Sequence, residues 1–350
     1  QRRAAALADL VAHYNNVFVG APPVAAEFDP EGRLVGEPQW SAHDRYMSEY
    51  TGLGQMLMPG AMKVLRYRGE GEPPIGAWEG AYAEWLRVWV AHMREIGWDY
   101  DTWAFYPVDE PGIRPDSVEV LLAVCKRVKA VDPRIRIYTD PVSGITLDEL
   151  RELAPYIDIW QPNLGFVLEG DENKGGAAAK IALIKSQNKP TWVYSPVGKA
   201  KTQQPTRAYR RHFWEAWRHG MNGVGFWTYY YETPDIDPWK GPTDLSGKPA
   251  SVEYSINYAA GDKVVASKRW ESIREGVEDY AYLDLLREFI AECEARGVAG
   301  AEVEGAKELL RIAPETVVGS KMDDAVLTRV RGQIMDALTR LHSLLQAVPK

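Results

Sequence analysis

The residues best suited to chemistry lie in one short run, Tyr106-Pro107-Val108-Asp109-Glu110-Pro111-Gly112. Two adjacent carboxylates follow an apolar segment, residues 102–106, and prolines bracket them. Like charges a few ångströms apart raise one of the two pKa values, so one carboxyl can keep a proton as an acid while the other stays anionic. Cleavage of a glycosidic bond uses such a division: an acid for the leaving oxygen and an anion for the cationic centre that develops. The same pair also has a structural reading, as caps on the positive end of a helix that starts near Pro115.

A conventional glycosidase needs a second carboxyl about 5–5.5 Å from the acid for retention, or about 6.5–9.5 Å for inversion. On the usual barrel layout the nucleophile would follow the strand at 191–195, but Tyr194-Ser195-Pro196 offers no carboxylate there. Asp140 and Glu232, each beyond another apolar run, are the remaining protein partners for Glu110. The other solution is a nucleophile carried by the substrate. The amide oxygen of a 2-acetamido sugar can attack the anomeric carbon to give an oxazoline, so the enzyme supplies only an acid/base and a carboxylate that orients the amide. Glu110 would then protonate the leaving oxygen and activate water, with Asp109 stabilising the oxazolinium charge.

Aromatic and amide side chains stand at the other strand ends. Trp160, Tyr194, Trp227 and Tyr229 are candidates for ring stacking and an acetamide pocket, and Gln161, Asn163 and Asp140 for contacts to hydroxyls. Alternate strand residues point into the interior, so part of this set is expected to be core. The count of 13 Trp and 18 Tyr suits either use, since these rings fill large cores as readily as they stack on sugars.

Three blocks resemble glycoside hydrolase family 123, the β-N-acetylgalactosaminidases, and the related uncharacterised barrel domains. They are Tyr106 to Pro111, the run Gly223-Val224-Gly225-Phe226-Trp227-Thr228-Tyr229-Tyr230, and Arg269-Trp270-Glu271-Ser272-Ile273-Arg274-Glu275-Gly276-Val277-Glu278-Asp279-Tyr280. The resemblance covers roughly residues 1–345. It implies a TIM-like barrel, substrate-assisted retaining cleavage of a β-linked N-acetylgalactosaminide, and an Asp-Glu pair matching Asp109 and Glu110. It also implies a β-sandwich and a first barrel strand ahead of the region that begins at Gln1, so a preceding portion is expected to be missing. Export to the periplasm or cell exterior is a further implication. By residue type alone, Glu271, Arg274, Glu275 and Glu278 read as charge pairs spaced three and four along a helix.

The elements that must position these groups alternate. Apolar runs at 16–19, 61–66, 102–106, 135–139, 157–161, 191–195 and 223–229 read as strands. Between them, Trp78, Tyr82, Trp85, Trp89, Met93 and Ile96, and then Val118, Leu121, Cys125 and Val128, form helical stripes, with further helices at 146–153, 176–186 and 206–219, and Val326, Val330, Ile334, Leu338 and Leu345 share one face near the C-terminus. The pattern predicts an α/β protein, a (β/α)8 TIM-like barrel over residues 1–296, with helices of 297–350 packed on it. Seven strands are one short of eight, and the missing one would precede Gln1 or come from 252–257.

Composition narrows the alternatives. Forty-one Lys plus Arg against 49 Asp plus Glu give a net charge of -8, which works against a broad nucleic-acid-binding face. No apolar run approaches the roughly 20 residues that span a bilayer. Cys125 and Cys293, the two cysteines, read as core residues. The six histidines form no HExxH and no i, i+4 pair, there is no CxxC, and Asp235-Ile236-Asp237 lacks the rest of a calcium loop, so no metal or other cofactor is expected. The rivals to the acetamido-sugar hydrolase are a two-carboxylate glycosidase for a neutral sugar and a non-catalytic carbohydrate-binding barrel. A carbohydrate is the expected partner, and the sequence assigns no oligomeric state.

Overall fold

The structure is a computed structural model that describes residues 1–20, 24–59, 65–67, 75–168, 176–198, 200–231 and 251–347. In chain order its elements begin α1 (Arg2–Ala12), β1 (Val17–Val19), β2 (Ala26–Phe28), α2 (Ser41–Tyr50), β3 (Gln55–Pro59), β4 (Leu65–Tyr67), α3 (Ile75–Glu95), β5 (Trp103–Tyr106) and α4 (Ser117–Val131). They continue with β6 (Tyr138–Thr139), α5 (Leu147–Leu153), β7 (Ile159–Trp160), α6 (Leu164–Leu168), α7 (Ala177–Ser186), β8 (Val193–Pro196), α8 (Arg211–Arg218) and β9 (Val224–Trp227). The last elements are β10 (Tyr258–Ala260), β11 (Lys263–Val265), α9 (Lys268–Ala295), α10 (Ala301–Gly319) and α11 (Asp324–Ala347). The chain divides into two compact units, one of residues 15–191 and one of 1–14 with 192–350.

In the 15–191 unit, β1, β3 and β5 run parallel, with Val17 opposite Gln55 and Met56 opposite Trp103. A bridge from Phe105 to Ile137 carries the order to the parallel pair β6–β7, and another joins Trp160 to Thr191. The strands are apolar on both faces: Met56, Leu57, Trp103, Ala104, Phe105, Ile137, Ile159 and Trp160 are all buried. That is the state of a parallel sheet covered by crossover helices. The middle of the stripe predicted on α3, Tyr82, Trp85, Trp89 and Met93, is buried, its ends Trp78 and Ile96 are half-buried, and Trp89 meets Trp103 edge-on with ring centroids 4.8 Å apart. Each fully buried side chain of this size contributes about 1.5–3 kcal/mol. The stripe of α4 is buried too, including Cys125.

The strand between β1 and β5 is β3, at 55–59, and not the run 61–66. Of that run, the described part belongs to β4, which pairs with β2 in a sheet of its own. Met and Leu dominate β3, and neither carries the β-branched signature of a strand, whereas 61–66 contains Val64.

In the other unit, β8 and β9 are parallel, with Val193 opposite Val224 and Pro196 opposite Trp227. The helical connection over 206–218 matches the periodic segment read there. The stretch 252–257 is not an eighth strand. Residues 251–254 form a 3-10 turn, and the backbone then bonds along the end of β9, Ile256 N–H to the Thr228 carbonyl at 3.0 Å and Asn257 N–H to that of Tyr229 at 2.8 Å.

Helices α9, α10 and α11 share one core with Trp214 of α8, in which Cys293, Val317, Leu327, Val330, Ile334 and Leu341 are buried. The charged block on α9 is structural in this unit. Arg210 is buried and binds Asp279 through Nε and Nη2 at 2.6 and 2.9 Å and Glu275 at 2.7 Å, while Arg274 pairs with both Glu271 and Glu278.

Candidate active site

The parallel register sets the site. Phe105 bridges Ile137, so the next residues, Tyr106 and Tyr138, stand side by side with their rings 4.8 Å apart and near perpendicular. One step past β6, Asp140 is only 5% exposed. The Tyr106 hydroxyl lies between two carboxylates, 2.6 Å from Asp109 Oδ1 and 2.5 Å from Asp140 Oδ2.

A phenol has one hydrogen to give, so two such short contacts require that one carboxyl carry a proton and donate it back. Asp140 is that carboxyl. Burial pushes it up to about 8, and the nearby Asp109 charge adds to this against the opposing hydrogen bonds from Tyr106 and the Glu110 N–H. The Tyr106 hydroxyl is within donating distance of both carboxylates, and with a proton on Asp140 that carboxyl can return a hydrogen bond to the Tyr106 oxygen while Tyr106 donates to Asp109. Burial raises the Tyr106 hydroxyl well above the usual tyrosine value, so it stays a donor.

Glu110 is fixed from the same side. Its backbone is in the left-handed region, φ 47°, which costs a side-chain-bearing residue about 1–2 kcal/mol. Two bonds hold it there: its N–H donates to Asp140 Oδ1 at 3.1 Å, and its carbonyl accepts from Ile113 N–H at 3.1 Å. Beyond it, the loop packs backbone to backbone on the loop after β6. A Cβ on Gly112 would stand 2.6 Å from the Ile145 nitrogen, and one on Gly144 would stand 2.0 Å from the Gly112 oxygen. Val142 N–H also donates to the Pro111 carbonyl at 3.1 Å.

The capping reading of the pair does not hold. The N-cap of α4 is Asp116, several residues beyond Asp109 and Glu110, and Ser117 closes the intervening turn by accepting from Gly112 N–H at 2.9 Å.

The remaining candidates separate. Gln161 is buried and accepts from the hydroxyl of Tyr138, whose ring packs against that of Tyr106, at 2.6 Å. Asn163 is half-buried and turns its side-chain oxygen to Gly165 N–H at 2.8 Å, at the start of α6. Trp160 is fully buried and presents no open face to a sugar. Asp140 is likewise unsuited to a hydroxyl contact, because its oxygens face Tyr106 and the Glu110 N–H.

Tyr194, Trp227 and Tyr229 belong to the other unit. Tyr194 is half-buried on β8, and Trp227 ends β9 half exposed. The Tyr229 hydroxyl donates to Asp9 Oδ2 at 2.5 Å and its ring meets Trp270. Glu232 and residues 235–237 lie outside the described residues.

Two features escape a reading by sequence spacing. The Tyr106 bridge depends on which residue of β6 stands beside β5, and no local pattern shows that. The second is a cluster of His43, Asp44 and His92, whose donors converge from two helices.

No family model matches this sequence, and no curated protein matches it. Among solved structures, the chain is similar to a glycoside hydrolase family 5 mannosidase from Rhizomucor miehei at 12% identity and TM-score 0.42, covering 80% of this chain and 87% of that one. It is similar to active domain 2 of a chitinase from Pyrococcus furiosus at 13% identity and TM-score 0.42, covering 79% and 89%. A psychrophilic glycoside hydrolase family 10 endo-β-1,4-xylanase matches at 10% identity and TM-score 0.42, covering 76% and 98%. Scores of this size carry no assignment of activity to the chain.

Proposed function

We propose that this chain is a glycoside hydrolase acting on a β-linked 2-acetamido sugar, an N-acetylgalactosaminide, by substrate-assisted retaining cleavage on a TIM-like barrel over residues 1–296, with 297–350 as a helical extension. The observation that carries the reading is the chain of hydrogen bonds Asp140–Tyr106–Asp109 beside Glu110.

In this mechanism Glu110 gives its proton to the leaving oxygen and later takes one from water. Asp109 is held through Oδ1, and Oδ2 accepts no hydrogen bond from the described residues, which leaves it to receive the acetamide N–H. Orienting that N–H aims the amide oxygen at the anomeric carbon and stabilises the positive charge of the oxazolinium. Asp140 acts behind Asp109 as a positioning residue: it keeps Tyr106 donating and holds the Glu110 backbone.

The same geometry weighs against the two-carboxylate alternative with Asp140 as nucleophile, because a buried, protonated carboxyl with both oxygens engaged is poorly placed to attack a sugar. A Glu110→Gln enzyme tests the assignment. Turnover of a substrate with a poor leaving group should fall about 10²–10⁴-fold. Near-wild-type turnover would remove Glu110 from the mechanism.

A further inference from the structure

The cluster distant in sequence from the catalytic pair has a composition of its own. His43 and Asp44 lie in the first turn of α2, and His92, 48 residues beyond Asp44, lies in the last turn of α3. One donor atom from each residue lies within 4.8 Å of the other two. Asp44 Oδ1 is 3.2 Å from His43 Nδ1 and 2.8 Å from His92 Nε2. An ion about 2.0–2.2 Å from each of three donors would set them roughly 3.2–3.6 Å apart; the two separations from Asp44 are close to that, and the third, between the two histidine nitrogens, is within 4.8 Å, so occupancy needs that pair to close by up to about an ångström.

We propose that His43, Asp44 and His92 bind a divalent transition cation of the Zn²⁺ class, joining the start of α2 to the end of α3. Two imidazole nitrogens and one carboxylate oxygen form a borderline donor set, which suits Zn²⁺ and Co²⁺ and not the all-oxygen preference of Ca²⁺ or Mg²⁺.

Trp40 stacks on the His92 ring with centroids 3.9 Å apart, which fixes the ring plane, and His92 Nδ1, the nitrogen opposite the ligating one, lies 3.9 Å from a carboxylate oxygen of the exposed Glu95, beyond hydrogen-bond distance. The Asp44 charge has no lysine or arginine partner among the described residues, and its side chain is 36% exposed, which gives an ion a route in and room for water as a fourth ligand. A metal on His43 Nδ1 leaves the proton on Nε2, which is buried without an acceptor among the described residues. That cost weakens binding by about 5–150-fold relative to a site whose second nitrogen is satisfied.

The test uses the whole chain, stripped with a chelator, titrated with Zn²⁺ by calorimetry and with Co²⁺ by visible spectroscopy. One equivalent should bind, Co²⁺ should give d–d bands of low coordination number, and Zn²⁺, but not Mg²⁺, should raise the melting temperature. Asp44→Asn and His92→Gln, both at partly exposed positions, should each weaken binding at least about tenfold with unchanged circular dichroism. His342→Gln should bind like the parent. No binding below millimolar Zn²⁺, or equal binding by parent and both cluster variants, would overturn the proposal.

Discussion

Replacing Asp140 by Asn removes one proton-binding site and little else. The Asn amide can donate to Tyr106, as the protonated carboxyl does, and its carbonyl can accept from the Glu110 N–H. The parent carboxyl sits at about 8 when folded against 3.8 unfolded, so between those values the folded chain holds a proton that the unfolded chain releases. Stability from this group is therefore complete below about pH 3.8 and is lost as pH rises toward 8. At about 1.4 kcal/mol per pH unit, the loss between pH 5 and pH 8 is about 3–4 kcal/mol. Asp140→Asn has no such slope. Urea unfolding followed by tryptophan fluorescence at pH 5, 6, 7 and 8 should show the variant gaining on the parent at each step. A difference between the two that stays constant across this range would refute the assignment of the proton to Asp140.

Activity carries the same signature: kcat of the parent should decline on an alkaline limb near pH 8, as both carboxylates beside Tyr106 become anionic, and Asp140→Asn should lack that limb. Tyr106→Phe removes the bridge and leaves the buried Asp140 without its partner, so it should lose about 1–3 kcal/mol of stability in urea along with kcat; full retention of both would contradict the bridge. Gly144→Ala forces a Cβ against the Gly112 carbonyl and should cost about 1–3 kcal/mol in the same assay, with a fall in kcat because the displaced loop carries Glu110. Arg210→Ala strands Asp279 in the interior and should cost about 3–5 kcal/mol by urea unfolding, whereas a change below 1 kcal/mol would mean that the pair is not buried as described.

The sequence discloses elements with a strong period. The stripe of α4 is buried as its spacing predicts, those of α3 and α11 are buried except at Trp78, Ile96 and Val326, which are half-buried, and the Asp-Glu pair falls after β5, where a strand-end reading puts it. It is less informative where partners are non-local. The strand at 55–59 lacks β-branched residues and is recognisable only by its pairing with β1 and β5. Trp160 reads as a sugar platform by type, but it is fully buried on β7. Asp140 reads as a nucleophile or a hydroxyl ligand by its place after a strand, and only the neighbouring loop shows that its oxygens are taken by Tyr106 and a backbone N–H. The His43–Asp44–His92 cluster follows no metal-binding spacing because its members come from two helices.

The central claim is that the sugar carries its own nucleophile. Initial rates on two aryl β-galactosides, identical except for a 2-acetamido group or a 2-hydroxyl, test it directly. The account predicts cleavage confined to the acetamido substrate, with Asp109→Ala abolishing it. Equal or faster cleavage of the plain galactoside would mean that a protein nucleophile operates, and would contradict the roles given to Asp109 and Glu110.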